Sequence, residues 1–282
     1  MSEERYPLAV RRILVALDAS PHSIAALEAA VELAARFRAE LLGLFVEDIN
    51  LLRLAKMPFA RELGLFSASR RPLDTQEVER QLRAQTARIR KLLATLGERA
   101  QISWSFRVAR GRIVSEVLTA AAEADLVLLG KTGWPVAHPR RLGSTIRAVL
   151  SAAPGPLLVF QHGARLKPPI LVLYDGSPAA DRALVAAATL MAQEDSQLIV
   201  LALSNQPAEA ERLQARATAQ LQGRKLQVRY CALAGSSLPQ LLRKVRAERC
   251  GTLILPAPSP LLRQDTLVRL LEEIEQPVVL IR

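Results

Sequence analysis

One stretch of the chain decides the fold, and it begins with the apolar run Leu126-Val127-Leu128-Leu129. The run continues into Gly130-Lys131-Thr132-Gly133, and after nine intervening residues comes Gly143-Ser144-Thr145. The apolar run is typical of a buried strand, and residues 146–150 have the pattern of a helix start. Glycines let backbone N–H groups approach an anion, and the first turn of a helix supplies N–H groups without intrahelical partners. The stretch therefore predicts a strand–loop–helix unit that holds phosphate. The alternative is that its glycines only make a tight turn and open a helix.

The chain also repeats itself. The apolar run Ile13-Leu14-Val15-Ala16-Leu17 ends in Asp18-Ala19-Ser20-Pro21, and Ile170-Leu171-Val172-Leu173-Tyr174 ends in Asp175-Gly176-Ser177-Pro178. Serine followed by proline is the pattern of a helix N-cap and first helical position. Apolar strands that alternate with helices predict a parallel sheet covered on both faces. We therefore expect an α/β protein of two domains, each a doubly wound parallel five-stranded sheet, joined by the proline-bearing residues 162–169.

The spacing G-x2-G-x9-G-[ST], set in this duplicated pattern, resembles the universal stress protein family, and the whole chain resembles two such domains in tandem. The resemblance implies a Rossmann-like, adenine nucleotide alpha-hydrolase-like fold, with domains over residues 1–162 and 168–282. It implies a stress-response regulatory protein that binds ATP or AMP, with any Mg²⁺ carried by the phosphates, and no catalytic residues, although slow ATP hydrolysis stays open. The positions that would contact the nucleotide are Ala16, Asp18, Val46, Leu129, Gly130, Gly133, Arg140, Gly143, Ser144 and Thr145.

The second half departs from this motif. Pro256 stands opposite Gly130, Ser259 stands opposite Gly133, and no Gly-Ser pair opens the following helix. Proline has no N–H to offer a phosphate. We therefore expect nucleotide in the first domain only and a degenerate second domain. The alternative is a non-enzymatic dimerisation or interaction scaffold whose nucleotide motif is vestigial.

Three features leave alternatives open. Lys131, Arg140 and Arg141 lie inside the motif, where they either bind phosphate or are exposed loop cations. The connector over residues 48–74 is long for a compact domain, so it is a lid, a partner-binding helix, a dimer contact or a local helix that packs on its own domain. The resemblance implies that residues 156–161 and 277–282 pair edge to edge within the chain. Such pairing removes two exposed sheet edges, and a homodimer is a further expectation.

Composition excludes several classes of protein. The net charge is +11, but arginines alternate with glutamates and aromatic residues are scarce, so a solvated surface is favoured over nucleic-acid binding. The two cysteines form no C-x-x-C motif, and the three histidines show no ligand spacing, so we expect neither a disulfide nor a metal site. The polar N-terminus does not resemble a signal peptide, and no apolar run spans a bilayer. We therefore expect a cytoplasmic protein.

Overall fold

The computed structural model describes residues 10–57, 61–63, 70–72, 74–133, 141–190, 197–204, 206–224, 226–234, 237–257, 259 and 262–282. In these ranges the chain forms helices and strands in alternation. The first half contains β1 (Arg12–Leu17), α1 (Pro21–Phe37), β2 (Glu40–Asp48), α2 (Ile49–Ala55), β3 (Arg61–Leu63), β4 (Arg70–Pro72), α3 (Thr75–Arg99), β5 (Trp104–Gly111), α4 (Ile113–Ala121), β6 (Leu126–Gly130), α5 (Ser144–Ala152) and β7 (Leu157–Phe160). The second half contains β8 (Ile170–Tyr174), α6 (Pro178–Leu190), β9 (Gln197–Leu203), α7 (Pro207–Leu221), β10 (Gln227–Leu233), α8 (Leu238–Glu248), β11 (Thr252–Pro256), α9 (Gln264–Glu273) and β12 (Val278–Ile281).

The doubly wound α/β class is confirmed, with one difference from the expected architecture. Ten of the strands form one continuous sheet in the order β10-β9-β8-β11-β12-β7-β6-β1-β2-β5, rather than two separate five-stranded sheets, and β3 and β4 form a separate pair. Each half contributes five strands that run parallel to one another. The halves join where β12 pairs antiparallel with β7, with Val279 opposite Leu158. Each of these strands would otherwise expose an edge of unpaired backbone groups, which explains why the two sheets merge.

Helices cover both faces of the sheet, and each face has its own core. Side chains of β1 alternate between them: Ile13 and Val15 belong to the core that also contains buried residues of α1, α3, α6 and α7, whereas Leu14 belongs to the core that contains residues of α4, α5, α8 and α9. This alternation follows from the two-residue repeat of a strand, and it explains why the central strands are apolar at nearly every position. Both cores run through the two halves. None of the helices in the described ranges combines the length and the apolar character needed to cross a membrane.

The order of the strands places a crevice beside β1. The chain proceeds from β1 outward through β2 to β5 and then returns to the other side of β1 with β6. Because β1 and β6 are parallel neighbours, their carboxyl ends meet at the same edge of the sheet. In doubly wound sheets, ligands bind at such a reversal point.

Candidate functional site

A cavity of about 590 Å³ opens at the carboxyl ends of β1 and β6. It brings together nine of the positions that the sequence singled out, and the tenth, Arg140, lies outside the described residues. That these residues contact a nucleotide stays a prediction. The nine residues that line the cavity are Ala16, Asp18, Val46, Leu129, Gly130, Gly133, Gly143, Ser144 and Thr145.

The polar end of the cavity is formed by the N-terminus of α5. Gly143 is the N-cap residue and has an extended backbone (φ −60°, ψ 153°), but as a glycine it has no side chain with which to cap the helix. In α1, by contrast, Ser20 Oγ accepts a hydrogen bond from the Ser23 N–H at 3.2 Å. The first N–H groups of a helix have no intrahelical acceptor, and the helix dipole gives this end a partial positive charge. The start of α5 therefore presents uncapped donors to the cavity at Ser144 and Thr145.

Gly130 and Gly133 are required because other atoms approach them too closely to leave room for a Cβ. Their backbone conformation does not require glycine, since neither has a positive φ. A Cβ on Gly130 would lie 2.7 Å from backbone atoms of His22 and Ser23, so this glycine lets the end of β6 pack against the start of α1. A Cβ on Gly133 would lie 2.6 Å from Asp18 Oδ2. At Gly143 the nearest atom would be 3.9 Å away, which leaves room for a side chain.

Asp18 is held through one carboxylate oxygen. Its Oδ1 accepts a hydrogen bond from the Ser20 N–H at 2.9 Å, while Oδ2 lies on the side of Gly133. The next residue, Ala19, has φ +62°, a left-handed conformation that costs a residue with a Cβ about 1–2 kcal/mol. At the equivalent position of the second half, Gly176 adopts φ +73° without that penalty. The turn that orients Asp18 is therefore strained in the first half.

The cavity has an apolar wall that the motif did not predict in full. Ala16, Val46 and Leu129 come from the ends of strands, as expected. Further lining residues come from β2 and the helices that follow the strands, and their position depends on tertiary packing that the sequence does not reveal. A partial signal was available for Ile113, because it follows the carboxyl end of β5, which meets the same edge of the sheet. The lining residues that sequence reasoning missed include Leu44, Leu51, Gln85, Ile113, Val117 and Ile146.

One buried polar atom in the cavity stands out. Thr132 is buried and lines the cavity. Its hydroxyl oxygen finds no hydrogen-bond partner among the parts of the chain that the structure describes. A buried hydroxyl without a partner is costly, so a polar ligand in the cavity would relieve this cost.

The cations of the motif behave differently from one another. Arg141 is exposed and lines the cavity. The sequence offered two roles for Lys131, a phosphate ligand or an exposed loop cation, and neither agrees with the structure. Lys131 is buried, and its Nζ donates to Ile274 O at 2.8 Å and to Gln161 Oε1 at 3.3 Å. Burial lowers the pKa of Lys131 from its usual value, and nearby glutamates of the second half oppose this shift. The ammonium group therefore serves the contact between the halves.

The second half lacks the open carboxylate of the first. Ser259, which stands where the first half has Gly133, is buried and donates from Oγ to Asp175 Oδ2 at 3.0 Å. The other oxygen, Asp175 Oδ1, accepts from the Ser177 N–H at 3.0 Å. Both oxygens of Asp175 are thus engaged within the protein. Pro256, opposite Gly130, is the last residue of β11 and has no N–H to donate.

The connector between β2 and α3 contains α2 and the short strand pair β3–β4. Leu52 and Ala55 of α2 pack against Val78 and Leu82 of α3, so the described part of α2 is a local helix that packs on its own half. Leu51, on another side of α2, lines the cavity. The connector therefore also contributes to the wall of the candidate site.

Comparisons with known proteins assign the chain to a family. The family model described as the universal stress protein family matches residues 9–161, which is more than half of the chain. A universal stress protein from Archaeoglobus fulgidus DSM 4304 has a similar structure, with 19% identity, coverage of 96% of this chain and 98% of that chain, and a TM-score of 0.71. A functionally unknown protein from Pseudomonas aeruginosa PAO1 shares 17% identity over 97% of this chain and 93% of that chain, with a TM-score of 0.57. No curated protein matches the sequence. Identities this low show the shared fold alone, whereas the match of the family model leads to the conclusion that the chain belongs to the universal stress protein family.

Proposed function

We propose that this chain is a regulatory protein that binds ATP or AMP in its first domain, residues 1–162. The observation that carries the proposal is the cavity at the ends of β1 and β6, which is lined both by apolar side chains and by an uncapped helix N-terminus. Its volume of about 590 Å³ lies in the usual range for small-molecule sites, which is roughly 300–1,000 Å³. An adenine base suits the wall formed by Val46 and Leu129, and phosphates suit the start of α5.

The polar groups of the cavity match the remaining parts of a nucleotide. Asp18 offers a carboxylate oxygen to a ribose hydroxyl, and Arg141 lies where it can pair with phosphate. The Thr132 hydroxyl would gain a partner. Mg²⁺ would be carried by the phosphates, because the described residues contain no group of three or more His, Cys, Asp or Glu side chains that could hold a metal ion.

The proposed occupancy is one nucleotide per chain. In the second domain, proposed as residues 168–282, the Ser259 hydroxyl donates a hydrogen bond to the carboxylate of Asp175, the residue that corresponds to Asp18. Pro256 also removes a backbone donor at the end of β11. We propose that this domain is a degenerate copy that supports the first.

The proposed role is regulatory and not catalytic. Among the described residues that line the cavity, Asp18 is the only carboxylate, and no histidine lines it. Fast phosphoryl transfer needs a positioned base or water and strong charge stabilisation, so at most slow hydrolysis is expected. Occupancy would instead stabilise the positions of α2 and of the start of α5 and so change the surface around the cavity. Cytoplasmic location and homodimerisation stay predictions from the sequence.

The proposal is tested by identifying what the purified chain carries. Freshly purified protein is denatured, and the released small molecules are identified by mass spectrometry, with a Gly133→Val variant as control. We expect ATP or AMP from the wild-type chain and little from the variant. A chain that carries no nucleotide and binds neither ATP nor AMP when they are added, but still dimerises, would support the alternative of a scaffold with a vestigial motif.

A further inference from the structure

The loop that precedes α5 is held by a helix of the second half. Glu272, in the last turn of α9, accepts a hydrogen bond at Oε1 from the Leu142 N–H at 3.2 Å. The same oxygen accepts from Arg147 Nη2 at 2.6 Å, and Arg147 Nε in turn donates to Leu142 O at 3.4 Å. The peptide groups on both sides of Leu142 are therefore tied to Glu272. Leu142 directly precedes Gly143, the N-cap of α5.

The other side of the motif is fastened to the same end of α9. Lys131, which follows Gly130, donates from Nζ to Ile274 O at 2.8 Å and to Glu272 O at 3.4 Å. A cation at a helix C-terminus is stabilised by the helix dipole, and a buried ammonium group needs such partners. The backbone of Lys131 also accepts from the Gly143 N–H at 3.3 Å. The segment after β6 and the segment before α5 are thus joined to each other and to α9.

This arrangement matters because a phosphate site built from backbone N–H groups depends on their positions. The first donors of α5 follow immediately from the peptide that Glu272 holds. Lys131 is buried and 23% of the Glu272 side chain is exposed, so the Lys131 hydrogen bonds and the Glu272–Leu142 hydrogen bond are screened less than surface contacts, whereas Arg147, with 47% of its side chain exposed, remains partly solvated. Helices α5 and α9 also meet at Ser151 and Gln264, whose side-chain oxygens lie 3.4 Å apart. A displacement of α9 would therefore displace the loop.

We propose that Glu272 is a positioning residue through which the second half sets the nucleotide affinity of the first. The proposal rests on the nucleotide binding proposed above. It gives the degenerate half a role that needs no ligand of its own. Coupling between sites is reciprocal, so nucleotide bound in the first half must also stabilise the position of α9.

The test measures ATP affinity of the full-length chain by calorimetry in three variants. Glu272→Ala removes the acceptor and the charge, and we expect its Kd for ATP to rise about tenfold. Glu272→Gln keeps an oxygen that can accept from the Leu142 N–H but loses the ion pair with Arg147. We therefore expect its Kd for ATP to lie between those of the wild-type chain and Glu272→Ala. Glu273→Ala is the matched control, since Glu273 is the next residue and pairs with Arg246 of the same half at 3.2 Å. Its Kd is expected within about twofold of wild type.

Two further measurements separate positioning from stability. A merely structural role would lower the thermal midpoint of Glu272→Ala without nucleotide and leave the Kd of the folded protein unchanged, which would overturn the proposal. In the wild-type chain, added ATP should slow amide exchange over residues 264–274, and unchanged exchange there would also contradict it. A wild-type chain that binds no ATP would refute the proposed function itself. Wild-type binding with an unaltered Kd in Glu272→Ala would refute only the role of Glu272.

Discussion

Replacing Gly133 by serine should convert the first half into the arrangement that the second half already has. A Cβ at Gly133 would lie 2.6 Å from Asp18 Oδ2, so their separation must grow by about 0.8 Å to reach the 3.4 Å at which ordinary contact begins. In the second half the equivalent serine, Ser259, donates to Asp175 Oδ2 at 3.0 Å. We therefore expect a serine at position 133 to move Asp18 and to occupy the oxygen that would otherwise meet the nucleotide.

The expected loss follows from the interaction that Asp18 would no longer make. A hydrogen bond to a charged group contributes about 1.5–3 kcal/mol, which corresponds to roughly 10- to 150-fold in Kd. Calorimetric titration with ATP measures it, and circular dichroism with a thermal melt shows that the variant is folded. Gly155→Ala is the matched control, because its Cβ would lie 4.0 Å from the nearest atom, Ala124 O, and Gly155 does not line the cavity. A folded Gly133→Ser variant that binds ATP as tightly as wild type would refute the role given to Asp18.

Three further predictions concern the surroundings of the cavity. Ala19→Gly should raise the free energy of unfolding by about 0.5 kcal/mol in urea titrations, because it relieves the left-handed backbone at φ +62°; a decrease would show that this turn is not strained. Gly143→Ser should raise the free energy of unfolding by a few tenths of a kcal/mol, since serine caps α5, and should weaken ATP binding measured by calorimetry, since its oxygen competes for the same N–H groups; tighter binding would contradict this. Burial, and after it the charges of His162 and Lys131, lower the pKa of His22 below 6.5. As the pH falls, His22 therefore takes up a proton in the unfolded chain before it does so in the folded chain. The stability that neutral His22 contributes is fully present above about pH 6.5 and is lost as the pH falls from there to the pKa of His22 in the folded chain. A His22→Asn variant should lose this part of the pH dependence of the urea midpoint, and an unchanged pH profile would contradict the assignment.

Sequence patterns predicted the features that depend on local periodicity. Apolar runs such as residues 13–17 and 170–174 mark strands buried on both faces, and both are strands in the structure. The Ser-Pro pairs predicted helix starts, which the structure has at Pro21 and Pro178. The motif residues of the first half lie together because parallel strands bring their carboxyl ends to one edge of the sheet.

The features that escaped sequence reasoning depend on contacts between distant segments. Lys131 looks like a loop cation in the sequence, but its closest acceptor is Ile274, 143 positions further along the chain. The resemblance implied that the edges formed by β7 and β12 pair, but local patterns do not specify their register, which places Val279 opposite Leu158. Gln85 lines the cavity because of the way α3 packs against β2 and β5. In each case the partner is set by packing of whole elements and not by neighbouring residues.

We propose that one half of this chain binds an adenine nucleotide and that the other half does not. Calorimetric titration of ATP into the full-length protein, stripped of any nucleotide that it carries, measures the number of sites directly. We expect one ATP per chain, with binding lost when Gly133 is replaced by valine. Two equivalent sites per chain, or binding that survives in a folded Gly133→Val variant, would contradict it.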